Sequence, residues 1–127
     1  MHLNKNLFSL MLFACINAQE YQWPTNAGDS YSSNFGEYRD DHFHMGLDIR
    51  TNGITGYKVF AAENGYIFRI VANYSGYGKA IYQKTNDGKT IVYAHLEKFS
   101  PILERVLKLQ QAKNKKYSIN TNFSSNQ

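Results

Sequence analysis

The stretch Asp41-His42-Phe43-His44-Met45-Gly46-Leu47-Asp48 gathers imidazoles and carboxylates into a short run of chain. His44 and Asp48 are four apart with a glycine between them. Zinc accepts an imidazole nitrogen at about 2.0–2.1 Å and a carboxylate oxygen at about 2.0–2.2 Å. Glycine's conformational freedom is expected to let the backbone aim both side chains at one ion. The same composition also suits an exposed polar loop, and spacing alone does not separate the two. A second candidate is His95, which follows the apolar and aromatic run Ile91 to Ala94. An imidazole at a strand end is either a satisfied core residue or a proton-transfer group aimed from a rigid support.

These residues need elements to position them. Residues 19–33 are polar, carry Pro24 and Gly28, and read as an extended lead-in segment. Lys58 to Ala61 reads as a short strand, and Asn64-Gly65 as the tight turn of a two-residue hairpin. Tyr66 to Ala72, Ala80 to Lys84 and Thr90 to His95 are rich in β-formers, with glycine turns at 75–78 and 86–88. Strands at this spacing predict an antiparallel sheet. The period then changes. Ser100 is the predicted N-cap and Pro101 the first helical residue, and Ile102, Leu103, Val106, Leu107 and Leu109 form an apolar stripe expected to fade by Asn114. A weak strand signal at Tyr117 to Ile119 precedes a polar end with no closing element.

The first eighteen residues are of another kind. Lys5, the apolar run Leu7 to Ile16 and Asn17-Ala18 make the three-part pattern of a secretory signal peptide over 1–18. The run is too short to cross a bilayer as a stable helix, and no other segment is apolar enough to do so. A lipoprotein signal at Leu12-Phe13-Ala14-Cys15 is the less favoured reading, because Phe13 is bulky for its site. Cleavage after Ala18 would remove the single cysteine, leaving neither a disulfide nor a thiol nucleophile. The chain is expected in the periplasm, the cell envelope or outside the cell. A chain of 127 residues with 43% hydrophobic and 19% charged residues fits one globular domain. Its net charge of +4 raises nucleic acid as a partner. The charges are scattered, however, and the run Lys113, Lys115, Lys116 reads as a solvated basic tail. With an export signal in front, nucleic acid is excluded as the expected partner.

Residues 35–100 resemble the lysostaphin-type zinc metallopeptidases, which cut peptide cross-links in bacterial peptidoglycan. Phe35-Gly36 with Arg39 is similar to that family's opening motif. His44-Met45-Gly46-Leu47-Asp48-Ile49 resembles its first zinc motif. Val59-Phe60-Ala61-Ala62 and Asn64-Gly65-Tyr66-Ile67 resemble its next strand pair, and Tyr77-Gly78 and Asp87-Gly88 fall at its glycine turns. Val92-Tyr93-Ala94-His95-Leu96 resembles its Tyr-x-His-Leu motif. The resemblance implies a mainly β, antiparallel domain of the duplicated-hybrid-motif kind over 34–127, with one helix after His95. It implies one zinc ion held by His44 and Asp48. It makes His95 a catalytic histidine that orients or deprotonates water without binding the metal. His42, two residues from His44 and expected on the same side of an extended segment, is a candidate beside the ligands or in the substrate groove, as are Arg39 and Tyr93.

The chain departs from that family in one respect. Members carry a further His-x-His motif that supplies the third zinc ligand, and no histidine follows His95 here. The expectation is therefore an incomplete domain, truncated before that motif, with an unpaired sheet edge and weak or absent activity. The expected partner is peptidoglycan or another peptide substrate, toward which a mild positive charge is suited; no partner protein is identifiable. The alternative is a non-catalytic wall-binding or regulatory module of the same fold.

Overall fold

The structure, a computed structural model, describes residues 21–124. The expected signal peptide and Cys15 lie outside the described residues. Among those described, no helix is long and apolar enough to cross a membrane.

The described residues are mainly β with one helix. Three consecutive strands form an antiparallel meander: β3 (Gly65–Ala72), β4 (Lys79–Thr85) and β5 (Thr90–Leu96), where β1 (Tyr31–Ser33) and β2 (Asp48–Ile49) precede them. The glycine turns fall where expected. Gly76, Gly78 and Gly88 have φ of 65°, 59° and 84°, a region that only glycine enters without steric cost. A bulge between Ile67 and Arg69 shifts the β3–β4 register.

Asn64-Gly65 is not a hairpin turn. Gly65 already belongs to β3, opposite Thr85, and its φ is not positive. A Cβ on Gly65 would lie 2.0 Å from the Lys84 carbonyl oxygen, so glycine is required by close backbone approach. The expected strand at 58–61 reduces to a bridge between Val59 and Thr25. Its partner is the lead-in segment: Phe60 N–H donates to Pro24 O at 2.8 Å and Gln22 N–H to Ala62 O at 2.8 Å. The lead-in continues into β1, which pairs antiparallel with β2.

Helix α1 spans Pro101–Asn114, with Ser100 at the N-cap and Pro101 at its start. The Ser100 hydroxyl makes no capping bond. Glu104 serves this end instead: its Oε1 accepts from Phe99 N–H at 2.9 Å and from Lys79 Nζ at 2.8 Å, tying the helix to β4. The core joins Ile70 and Ala72 of β3 to Phe99, Leu107 and Ile119, with Ile81, Leu96, Leu103 and Val106 packed around them. Leu107 is 2% exposed, and burying such a side chain contributes about 1.5–3 kcal/mol. The predicted stripe was too wide. Ile102 and Leu109 are 77% and 64% exposed. Seven residues apart, they share a flank of the helix, while 103, 106 and 107 face the sheet.

The polar end does contain a closing element. Strand β6 (Ile119–Asn122) pairs antiparallel with β3, giving the sheet order β5-β4-β3-β6. Strand β6 therefore covers the β3 edge, and β5 and β6 are the outer strands of this sheet among the described residues. Backbone pairing and the single buried side chain of Ile119 hold β6 in place, which is why its composition signals a strand so weakly.

Candidate metal centre

A tight hairpin and the β1–β2 ladder build the site. Arg39 N–H donates to His42 O at 2.8 Å and His42 N–H to Arg39 O at 3.3 Å, closing a turn over Asp40 and Asp41. Tyr38 bridges Phe43, and their rings meet edge to face. At the base, Gly36 N–H donates to His44 O at 2.7 Å and His44 N–H to Glu37 O at 2.8 Å. Gly36 has φ of 79°, so the chain turns there through glycine geometry. Four residues on, β2 sets Asp48 opposite Ser33 of β1.

His44 and Asp48 come together. His44 Nε2 lies 3.2 Å from Asp48 Oδ1, and the His44 side chain is only 13% exposed. Two ligands about 2.05 Å from a tetrahedral zinc ion would stand ~3.3 Å apart, so this separation matches one edge of such a site. The other atoms of both groups are occupied. His44 Nδ1 lies 2.9 Å from Asn34 O and 3.0 Å from Ser33 Oγ. Arg39 Nη2 donates to Asp48 Oδ2 at 2.5 Å and to Ser33 Oγ at 3.1 Å. Ser33 Oγ also donates to Glu37 Oε2 at 2.8 Å. A metal-binding imidazole held through its other nitrogen by a carbonyl, and a carboxylate held through its other oxygen, are the usual supports of such ligands. The Ser33 bond, followed by the Asn34 backbone N–H, lowers the Glu37 pKa below its ordinary value and keeps that carboxylate ionised.

Gly46 acts differently from the expectation. Its φ is not positive, and a Cβ there would lie 3.6 Å from His44 Nε2. The glycine keeps the approach to that nitrogen open rather than tightening the turn.

Among the described residues, the side chains of the remaining candidates make no hydrogen bond or ion pair with this pair. His42 sits at the exposed hairpin end, where its Nδ1 pairs with Asp41 Oδ1. It closes the turn instead of continuing an extended run, so it does not share His44's environment. That contact also lowers the Asp41 pKa. Tyr93 is half-buried; its hydroxyl accepts from Ala62 N–H at 2.8 Å and donates to Gln83 Oε1 at 2.7 Å, which binds the 58–62 segment to the sheet. Burial raises its pKa above the ordinary phenol value. His95 is exposed near the end of β5 with φ of 56°. Tyr77 O accepts its N–H at 3.0 Å and the Tyr77 ring meets its imidazole edge-on. Among the described residues the His95 ring makes no hydrogen bond, so its nitrogens are open to solvent or substrate.

Sequence reasoning missed Ser33, Asn34 and Glu37, although all three flank the Phe35-Gly36 motif. Among the described residues, no group of three or more His, Cys, Asp or Glu side chains is arranged to hold a metal ion.

A protein-family model described as Peptidase family M23 matches residues 42–115. Neither the curated proteins nor the solved structures yield a match. The matched span takes in His44, Asp48, the β3–β5 meander, His95 and α1. This chain therefore belongs to Peptidase family M23, the lysostaphin-type peptidases.

Proposed function

We propose that the chain carries part of the active site of a zinc-dependent endopeptidase that cuts peptide cross-links in bacterial peptidoglycan, and that residues 1–18 direct its export to the periplasm, envelope or medium. The observation that carries this reading is the convergence of His44 Nε2 and Asp48 Oδ1 at 3.2 Å, with the outer atoms of both side chains already held. Two neutral-pH electron-pair donors at that distance fit two corners of a zinc site. Bound there, zinc would polarise the scissile carbonyl and make water nucleophilic near neutral pH.

The protein's own groups have distinct tasks. His44 and Asp48 would hold the ion. Arg39 fixes the carboxylate by occupying Oδ2, which leaves Oδ1 for the metal. The space beside Gly46 admits the reacting groups to the His44 side of the site. His95, exposed and held through its backbone by Tyr77 O, would exchange a proton with water or the leaving amine. A catalytic zinc site takes three protein ligands. In the family pattern the third comes from a His-x-His motif downstream of Tyr-x-His-Leu, and no histidine follows His95 in these residues. The described chain alone is expected to bind zinc weakly and to hydrolyse little. The net charge of +4 favours contact with an anionic wall polymer.

Zinc titration of the chain, together with release of soluble fragments from purified peptidoglycan, tests this reading. Weak zinc binding that depends on His44 supports it. Brisk hydrolysis unaffected by His44→Ala would sink it.

A further inference from the structure

The donors and acceptors around His44 call for a proton on Nδ1. Glu37 Oε2 accepts, since Asn34 N–H also donates to it at 3.3 Å. Asn34 O also accepts only. Ser33 has a single hydroxyl proton to share between Glu37 Oε2 at 2.8 Å and His44 Nδ1 at 3.0 Å. If Ser33 donated to His44, its lone pair would face Glu37, and the Nδ1 lone pair would face Asn34 O at 2.9 Å. Both contacts would be between acceptors. If Ser33 instead donates to Glu37, each of the contacts around Ser33 and His44 Nδ1 has a proton. Its two lone pairs then receive Arg39 Nη2–H at 3.1 Å and His44 Nδ1–H, which Asn34 O shares.

We propose that Ser33 and Glu37 are positioning residues that keep a proton on His44 Nδ1, so that Nε2, facing Asp48 Oδ1, is the ring nitrogen left for a metal ion. The purpose of the arrangement rests on reading His44 and Asp48 as ligands. The result sets Nε2 and Asp48 Oδ1 3.2 Å apart with their other atoms already held, a pair of donors that a metal ion can take up. The backbone makes this possible. Ser33 is the cross-strand partner of Asp48, and it is 7% exposed, so its hydroxyl stays within the cluster and away from water. Arg39 reaches both residues with one nitrogen, linking the orientation of the carboxylate to that of the imidazole. Neither Ser33 nor Glu37 is required to touch the ion.

Long-range proton–nitrogen NMR of the 15N-labelled full chain at neutral pH, followed by titration with zinc chloride, tests the proposal. The wild-type His44 ring is expected to carry its proton on Nδ1. Ser33→Ala removes the hub, and Glu37→Ala frees the Ser33 proton to bind Nδ1. In both, the Nε2–H form should appear, and zinc affinity should fall by about 10–100-fold. Ser33→Thr, which keeps the hydroxyl, should retain the wild-type tautomer. A wild-type ring protonated on Nε2, or folded variants with unchanged tautomer and zinc affinity, would overturn the proposal. Should Ser33→Ala fail to fold, Glu37→Ala alters an exposed side chain and gives the same readout. The tautomer decides this inference, whereas absence of zinc binding by the wild-type chain would count against the ligand assignment beneath it.

Discussion

Replacing Gly65 by alanine should damage the sheet more than replacing any turn glycine. The added Cβ would lie 2.0 Å from Lys84 O, 2.9 Å from Lys84 C and 2.9 Å from Thr85 Cα, all backbone atoms that no rotamer change can move away. Restoring an ordinary contact requires the start of β3 to move from β4 by more than an ångström. Overpacking of this kind costs roughly 1–3 kcal/mol. Two bonds nearby would be strained as well: Asn86 N–H to Asn64 O at 3.1 Å and Gln83 Nε2 to Glu63 O at 2.5 Å. Each contributes about 1 kcal/mol net. A loss of about 2–4 kcal/mol would lower the melting temperature of a domain this size by roughly 10–25 °C. Gly88→Ala provides the control, because its Cβ meets nothing within 4 Å and only the φ of 84° opposes it. That substitution should cost about 1–2 kcal/mol. Thermal unfolding followed by circular dichroism measures both. If Gly65→Ala is no more destabilising than Gly88→Ala, the close-approach argument is wrong.

Three further outcomes are expected. Tyr93→Phe removes the acceptor of Ala62 N–H and the donor to Gln83, and should destabilise the domain by about 1–3 kcal/mol in urea unfolding. Lys79, and then the Phe99 N–H, hold the Glu104 carboxyl below its usual pKa of 4.5. A depressed carboxyl pKa stabilises the fold above the unfolded value, and that stability is lost as pH falls through the folded value. Stability at pH 7 relative to pH 3 should therefore drop less in Glu104→Gln than in the wild-type chain. His95→Asn removes the imidazole yet suits φ of 56°, since asparagine tolerates this region. Its melting temperature should stay within a few degrees of wild type, whereas any peptidoglycan hydrolysis that the proposed site supports should vanish.

The β3–β5 meander was legible because its information is local: β-formers in runs, separated by glycines that the turns require. Helix α1 was legible for the same reason, from Ser100-Pro101 to the fade at Asn114. Gly65 was misread because Asn-Gly has the look of a turn in isolation, and only tertiary pairing reveals the carbonyl that passes beside it. Strand β6 was nearly invisible, since Ile119-Asn120-Thr121-Asn122 buries one side chain and owes its conformation to the edge of β3. At the site, the four-residue spacing of His44 and Asp48 pointed to their meeting. The roles of Ser33 and Glu37 did not show, because they arise from a ladder joining residues 31–33 to 48–49 and from a hairpin folded back on itself. A serine's chemistry in sequence is generic; here its location opposite Asp48 gives it a specific partner set.

Whether His44 and Asp48 form one half of a zinc site, as proposed, is tested by zinc titration of the full chain and of His44→Ala and Asp48→Ala, read by NMR shifts of the residues around the hairpin and β2. Weak, saturable binding should perturb His44 and be lost in both variants while the sheet remains folded. Undiminished binding in either variant, or no binding by the wild-type chain, would contradict that proposal.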